Sequence, residues 1–547
     1  MERGVNRYIK AGNRVLNNAP EPHYFKLALE LFKKAIELEP NNKKALIGLS
    51  ETYHFLGKYT KADNILDQLL NNDPEALDVL FQKCIQSFPI IYNIQDEIQS
   101  SRANYGHLLN KLLELIKIAD DDRLKSLYKL IGRFHPFYLA YQGLNDKDLQ
   151  AKYGKLLNEI TYRLHPNSQT LNTSPNSIGV KIKIGFFTNK NMDHAIWRVF
   201  LKGWIENLDL DKFDIVLYMP KTGNYKTPKL PSHIEIISEN FGANDWIKQI
   251  SKDRPDILIY PDFCGDKIAL KLSNFRLAPV QCVAAGHCVT SGIPTMDYFI
   301  SGQMLEPADG DAHYTESLIK LPNTSYFFEA PEISEKLNKN NKLGILSEAV
   351  TYFCTQNLFK YLPDYDDIIV EIAKKVKKCQ FVFKTVAVSE EVADQFKRRI
   401  ENKFSVNGLS PSEHLIFIDY LEEDDYKNFH GYCDIFLDSI SYGGWTTIYE
   451  AIANDLPVVT LKGETLKGRG ATGILTHIDV TETITNSIEE YISVAVNLGT
   501  DKGLRKSIID RISKNKARAF SDQDSAIGFQ HFLEKVYSES KLEKRTT

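Results

Sequence analysis

The sequence predicts an α-helical repeat region followed by two α/β units, each a parallel sheet wrapped by helices, facing one another across a cleft. Three observations carry this prediction. Residue types near the N-terminus recur with a period of 34. From about residue 180, short β-branched runs alternate with amphipathic stretches, and a second series of such runs opens near residue 344. A chain of 547 residues has room for roughly three or four domains at ~150 residues each, which agrees with the division.

The repeat comes first along the chain. Ala28, Phe32, Ala35 and Pro40 recur 34 residues on as Ala62, Leu66, Leu69 and Pro74, and Leu46, Leu49, Tyr53 and Gly57 fill the helix between them. Small residues let paired helices approach closely, and proline stops one helix before the next unit begins. This is the tetratricopeptide signature, clear over residues 24–75; two ordinary helical hairpins are the plainer reading of the same pattern. The stretches LLNKLLELIKIA and DLQAKYGKLLNEITYRL keep helical periodicity without the motif, so residues 1–165 are expected to be helical, the later part capping the stack and docking it. A polar, proline-punctuated linker follows at 166–178.

The first α/β unit is expected over 179–338, with strands at 180–188, 213–219, 256–261 and 278–284. The second is expected over 339–540, with strands at 349–355, 380–385, 415–419, 434–439 and 457–461, ahead of a polar tail at 541–547. In such parallel sheets, ligands sit beyond the carboxyl ends of the strands.

Composition excludes several classes. Apolar content of 43% and charged content of 25% are ordinary globular values, which argues against a disordered chain. A net charge of −4 gives no basic footprint for nucleic acid. No run approaches the ~18 apolar residues of a membrane span, and the start MERGVNRYIKAGNR does not read as a secretory signal, so a soluble, cytoplasmic protein is expected. The seven cysteines are scattered and never form a C-x-x-C pair; they read as reduced thiols and not as a zinc site. No G-x-S-x-G elbow, P-loop or H-E-x-x-H occurs.

Three loops carry the chemistry. In DIFLDSISYGGWTTIYEAIANDLPVVTL a buried strand runs into Gly443-Gly444, then Trp445-Thr446-Thr447, then a helix that ends before Pro457. Glycines allow close backbone approach, and a helix N-terminus presents free amides, so this turn is a candidate diphosphate site with Glu450 placed to accept from a ribose. The plainer reading is a capped helix after a strand. A second loop, Cys354 to Lys360, puts a lysine just past a strand end, where it either neutralises phosphate or is simply solvated. The third, FRLAPVQCVAAGHCVTSGIPTMDYFISG, has small residues around Gly286, His287 and Gly292, and its histidine is either structural or faces the cleft.

Taken in order behind the repeat, RLAPVQCVAAGHCVTSGIPTMDYFIS, TQNLFKYLPDYDD and LDSISYGGWTTIYEAIANDLPVVTLKGETLKGR resemble the catalytic region of the O-GlcNAc transferase family, glycosyltransferase family 41. The resemblance runs from about residue 180 to 530. It implies a GT-B fold, two Rossmann-like domains facing a cleft, and an inverting transfer from a UDP-sugar to a protein or peptide acceptor with no cofactor and no metal. It assigns Lys360 to the donor diphosphate, Thr446 and Thr447 to the β-phosphate, Glu450 to the ribose and Tyr426 to the uracil. Gln356, Asn357, Gly443, Gly444 and Trp445 complete the implied donor set, and His194 and His287 match active-site histidines. The expected sugar is GlcNAc or glucose, the expected acceptor Ser or Thr. Asparagine is the alternative, and a non-catalytic repeat scaffold is the alternative from another class.

Departures from the pattern are informative. Trp445 stands where members have histidine or asparagine, Cys288 replaces a proline and is expected to loosen its turn, and Tyr260 holds the place of an aspartate. Asp262 and Asp266 are the nearby carboxylates, and the general base stays open between them and other groups.

Overall fold

The computed structural model describes residues 2–17, 23–133, 135–170, 181–190, 192–221, 230–232, 234–263, 266–331, 333, 344–385, 388–418 and 429–546. Helices α1 (Glu2–Asn17), α2 (His23–Leu38), α3 (Lys43–Phe55) and α4 (Tyr59–Asn72) form two antiparallel pairs. The small-residue pattern explains their closeness. Phe32 is fully buried, and a Cβ at Gly12 of α1 or Gly48 of α3 would lie 2.7 or 2.3 Å from its ring. Asn42 starts α3 by accepting from the Ala45 amide at 3.1 Å. These pairs keep small cores of their own.

The helices that follow are α5 (Leu77–Ile85), α6 (Asp96–Ile118), α7 (Asp121–Tyr128) and α8 (Lys147–Leu164). From Leu77 onward their apolar faces merge into the main core shared with both α/β units. The expected capping and docking role therefore has a physical form. A Cβ on Gly154 of α8 would sit 1.9 Å from the Gly292 carbonyl oxygen, so helix and loop touch backbone to backbone. The linker begins as a short 3-10 turn, Pro166–Gln169, pinned by the Arg276 amide donating to Ser168 O at 2.7 Å.

The first sheet has strands β1 (Ile182–Phe187), β2 (Phe213–Pro220), β3 (Glu235–Glu239), β4 (Ile257–Tyr260), β5 (Val280–Ala284), β6 (Tyr298–Gly302) and β7 (Ser317–Leu321). The second has β8 (Val350–Cys354), β9 (Cys379–Lys384), β10 (Leu415–Ile418), β11 (Ile435–Leu437), β12 (Val458–Leu461) and β13 (Ile484–Thr485). Every pairing is parallel, and the orders are β3-β2-β1-β4-β5-β6-β7 and β10-β9-β8-β11-β12-β13. Both sheets thus reverse strand order once, between β1 and β4 and between β8 and β11. That reversal point opens the crevice where such sheets bind ligands. The strands missed in the sequence are β3, β6, β7 and β13. β3 and β7 are only partly buried, β13 has two residues, and β6 lies inside the stretch taken for a glycine loop.

One boundary changes. The last helix, Gln523–Thr546, returns to the first unit: Phe529 stacks on Trp204 at 4.2 Å, Phe532 meets Tyr298 at 5.6 Å, and Gln530 accepts from the Asp209 amide at 3.0 Å. The stretch 541–547, expected as a polar tail, is helical through Thr546, as a continuation of the last helix beyond its last buried side chain, Val536. Among the described residues no helix is long and apolar enough to cross a membrane.

Candidate active site

At the reversal point of the second sheet, β8 runs into Gln356–Lys360 and β11 into Asp438–Thr447. Lys360 is buried there. Its Nζ donates to Gln356 Oε1 at 2.9 Å and to Gly443 O at 3.1 Å, and lies 4.8 Å from the Tyr442 ring centre. Gln356 Nε2 in turn donates to Thr447 Oγ1 at 2.6 Å. One polar chain therefore joins the two loops. Burial lowers the Lys360 pKa, and attraction to Asp438 opposes that shift.

Asp438 is the brace behind the turn. It accepts from the Gly444 amide at 2.7 Å and from Thr460 Oγ1 at 2.9 Å, and burial raises its pKa despite these bonds. The glycines let these side chains close on the turn. A Cβ on Gly443 would come within 2.9 Å of Asp438 Oδ2, and one on Gly444 within 2.5 Å of Gln356 Nε2. The turn feeds the helix Thr446–Ala453, whose N-cap is Trp445. The Trp445 ring packs edge-on to Tyr326 of the first unit at 5.5 Å, and its buried Nε1 has no partner among the described residues. Thr446 and Thr447 occupy the first turn of that helix, half-buried. Glu450, one turn on, faces Arg198 of the first unit with 3.7 Å between charged atoms. Tyr426 lies outside the described residues.

The first unit supplies the opposite wall. His194 follows β1, and its Nδ1 accepts from the Ile196 amide at 3.1 Å, which leaves Nε2 as the N–H of the neutral ring. Burial pushes its pKa down to about 4, with Lys190 and Arg198 adding to the effect. His287 is held between Phe137, stacked at 5.8 Å, and His135 at 5.9 Å, and burial drives its pKa well below the usual range. Both rings are therefore neutral near pH 7. Lys190 and Asp262 form a largely buried ion pair at 3.3 Å between the loops after β1 and β4.

The remaining carboxylate and phenol point elsewhere. Asp266 caps the helix Lys267–Leu272, accepting from the Ile268 and Ala269 amides at 2.9 Å. Tyr260 is fully buried between Phe187 and Phe263 in the sheet core. Cys288, expected to loosen its turn, instead braces it: the thiol donates to Ala285 O at 3.6 Å, and burial pushes its pKa up to about 12.

These walls meet in a cleft of about 640 Å³, which Lys190, His194, Asp262, His287, Asn357, Lys360, Tyr442 and Trp445 line together with helical-region residues such as Arg133 and Tyr138. The helical contribution was not foreseen at this site. The 3-10 segment Phe137–Gln142 lays Tyr141 at 4.5 Å from both Phe359 and Tyr442. Its cue was the aromatic cluster FYLAY in an otherwise aliphatic helical stretch, and that of Asp438 was a charge closing a buried strand.

Residues 329–524 match the model for glycosyl transferase family 41, and residues 25–80 match a tetratricopeptide repeat model. The region matched to the family 41 model takes in the whole second sheet and Glu450, while His194, Asp262 and His287 stand outside it on the first. Among curated relatives, the chain is 24% identical over 410 residues to a probable UDP-N-acetylglucosamine–peptide N-acetylglucosaminyltransferase SPINDLY of Oryza sativa subsp. japonica, covering 72% of this chain and 42% of that one. It is 23% identical to a UDP-glucose:protein N-β-glucosyltransferase of Actinobacillus pleuropneumoniae serotype 7, covering 53% and 46%. The chain thus spans less than half the length of these relatives. A solved mutant of the Thermobaculum terrenum O-GlcNAc transferase superposes with a TM-score of 0.68 at 19% identity, over 98% of this chain and 97% of that one. The two α/β units accordingly share the GT-B fold, with the helical repeats in front.

Proposed function

We propose that this chain is an inverting, metal-independent glycosyltransferase that moves GlcNAc or glucose from a UDP-sugar to a serine or threonine hydroxyl of a protein. The acceptor oxygen bonds to the anomeric carbon as that carbon's bond to the β-phosphate oxygen breaks. UDP leaves with the electron pair, and the hydroxyl proton passes to a base or to water. Negative charge grows on the β-phosphate, so pre-placed donors there lower the barrier.

The observation that carries this reading is the Lys360 ammonium, buried at the strand-order reversal and held against the Gly443 carbonyl. A lysine kept out of water beside a two-glycine turn and a helix N-terminus is arranged to meet an anion. Thr446 and Thr447 add hydroxyls and amides in the same turn, and Lys360 supplies the cation that a metal would otherwise provide. A protein acceptor is favoured by the activities for which the relatives are named and by the helical region forming one wall of the cleft. The Actinobacillus relative's name keeps asparagine as a second acceptor.

Incubation of the purified chain with UDP-GlcNAc and UDP-glucose, with and without cell lysate, should release UDP in an acceptor-dependent way, and mass spectrometry of the lysate proteins distinguishes Ser/Thr from Asn products. Failure to bind UDP in calorimetry would return the chain to the scaffold reading.

A further inference from the structure

The candidate donor turn is gripped from behind by the helical region. The Gly443 amide donates to the Lys467 carbonyl at 2.8 Å, while the Gly443 carbonyl accepts from Lys360. The Lys467 side chain runs the other way, out of the second unit. Its ammonium donates to Leu144 O at 2.6 Å and to the Asp146 carboxylate, both in the segment that leads into α8. Asp146 also takes Arg102 Nη1 at 2.7 Å, and that arginine reaches Gln142 Oε1 at 3.0 Å. Lys467 and Asp146 are each about 2% exposed, so neither charge is shared with water.

Two further contacts follow the same path. Gly143 has φ +73°, and a Cβ there would lie 3.0 Å from Ser441 Oγ. Tyr141 packs 4.5 Å from Tyr442, the ring beneath the Lys360 ammonium. The segment 141–146 therefore touches the turn's entry, its aromatic floor and the lysine whose backbone fixes its amide.

We propose that Asp146 and Lys467 are positioning residues for nucleotide binding, so that the helical region is a structural part of the donor site and not only an acceptor-docking arm. The physical argument is that a buried ion pair has one good geometry and a large penalty for separation. Lys467 is anchored at its far end, and its carbonyl then fixes the peptide that presents Gly443 to Lys360. This inference rests on the reading that Gly443–Thr447 holds the UDP diphosphate.

The test uses the full chain. UDP affinity is measured by calorimetry, and KM is measured separately for donor and acceptor, in Lys467→Met, Lys467→Arg and Asp146→Asn, each checked for a cooperative melt. Gln395→Ala is the control, since Gln395 also ties the second unit to the helical region, at Ile91 O, but away from the turn. Lys467→Met and Asp146→Asn should weaken UDP binding and raise donor KM 10-fold or more with acceptor KM unchanged, Lys467→Arg should recover part of the loss, and Gln395→Ala should stay within about twofold. If Lys467→Met does not fold, the isosteric Asp146→Asn carries the test. Folded variants that bind UDP like the parent, or an equal loss in Gln395→Ala, would overturn the proposal while leaving the donor-site reading intact. A parent chain that does not bind UDP overturns both.

Discussion

Lys360 shows how burial and function pull against each other at a single residue. Removing its ammonium from water lowers its pKa, and two carbonyl oxygens with the Tyr442 face replace only part of the lost hydration. Such an arrangement is paid back when an anion arrives. Losing one donor aimed at developing charge costs about 3–4 kcal/mol, so Lys360→Ala is expected to lower turnover ~100-fold or more with an unchanged circular dichroism spectrum. Near-normal transfer by this variant would remove the lysine from the mechanism. The same groups set a pH profile. Donor kcat/KM reports the free enzyme. It should fall on the basic side as pH rises through a Lys360 pKa below the ordinary lysine range. It should fall on the acid side as Asp438, whose pKa burial holds above the ordinary carboxylate range, is protonated and releases the Gly444 amide. The limbs belong to the interacting pair and not to either group alone. A flat profile between about pH 5 and 9 contradicts this assignment. Lys360 and the threonine pair were legible because they sit in a local motif. Asp438 and Tyr442 were not singled out, since their importance lies in what they touch.

At the scale of elements, glycine placement decides how closely the parts dock. Gly154 lies inside α8, where alanine would ordinarily be favoured by about 1 kcal/mol. Here a Cβ would come 1.9 Å from the Gly292 carbonyl oxygen, and the facing Gly292 itself has φ +68°. Overpacking of this kind typically costs 1–3 kcal/mol and outweighs the helix propensity. Gly154→Ala is therefore expected to be destabilising by up to about 2 kcal/mol net, read as a lower urea midpoint at unchanged slope; a raised midpoint would show that the loop yields freely. Strands β4 and β9, buried on both faces, were legible as continuous apolar runs in DILIYP and QFVFKT, whereas β6, equally buried, was hidden in a stretch rich in glycine and small residues. The edge strand β3, with its charged ends Glu235 and Glu239, carries no such run, because one side of an edge strand meets solvent.

For the whole molecule, the two sheets share one strand order and face each other, and the chain then crosses back. The final helix buries Phe529 completely against Trp204 and Phe186 of the first unit. Phe529→Ala should cost about 3–5 kcal/mol. That loss is expected in the unfolding of the first α/β unit, although the residue lies more than 200 positions after that unit's last strand. Tryptophan fluorescence is the measurement, since Trp197, Trp204 and Trp246 all lie in that unit; an unchanged transition would mean that the return helix is dispensable. The merged core from Leu77 onward likewise makes α5–α8 part of the body that holds the cleft, while the first four helices are built mainly around two smaller cores.

The sequence by itself determined what depends on near neighbours: the 34-residue recurrence, the strand runs, the paired glycines before a helix and the lysine after a strand. Each follows from periodic burial or backbone geometry within a few residues, and each has a local signature. Tertiary structure alone decided which of these meet. Phe137, His287, Lys360, Tyr442 and Lys467 converge because two parallel sheets reverse their strand order at facing points and a helical segment inserts between them. Such encounters are set by packing between residues hundreds of positions apart, which no local pattern encodes.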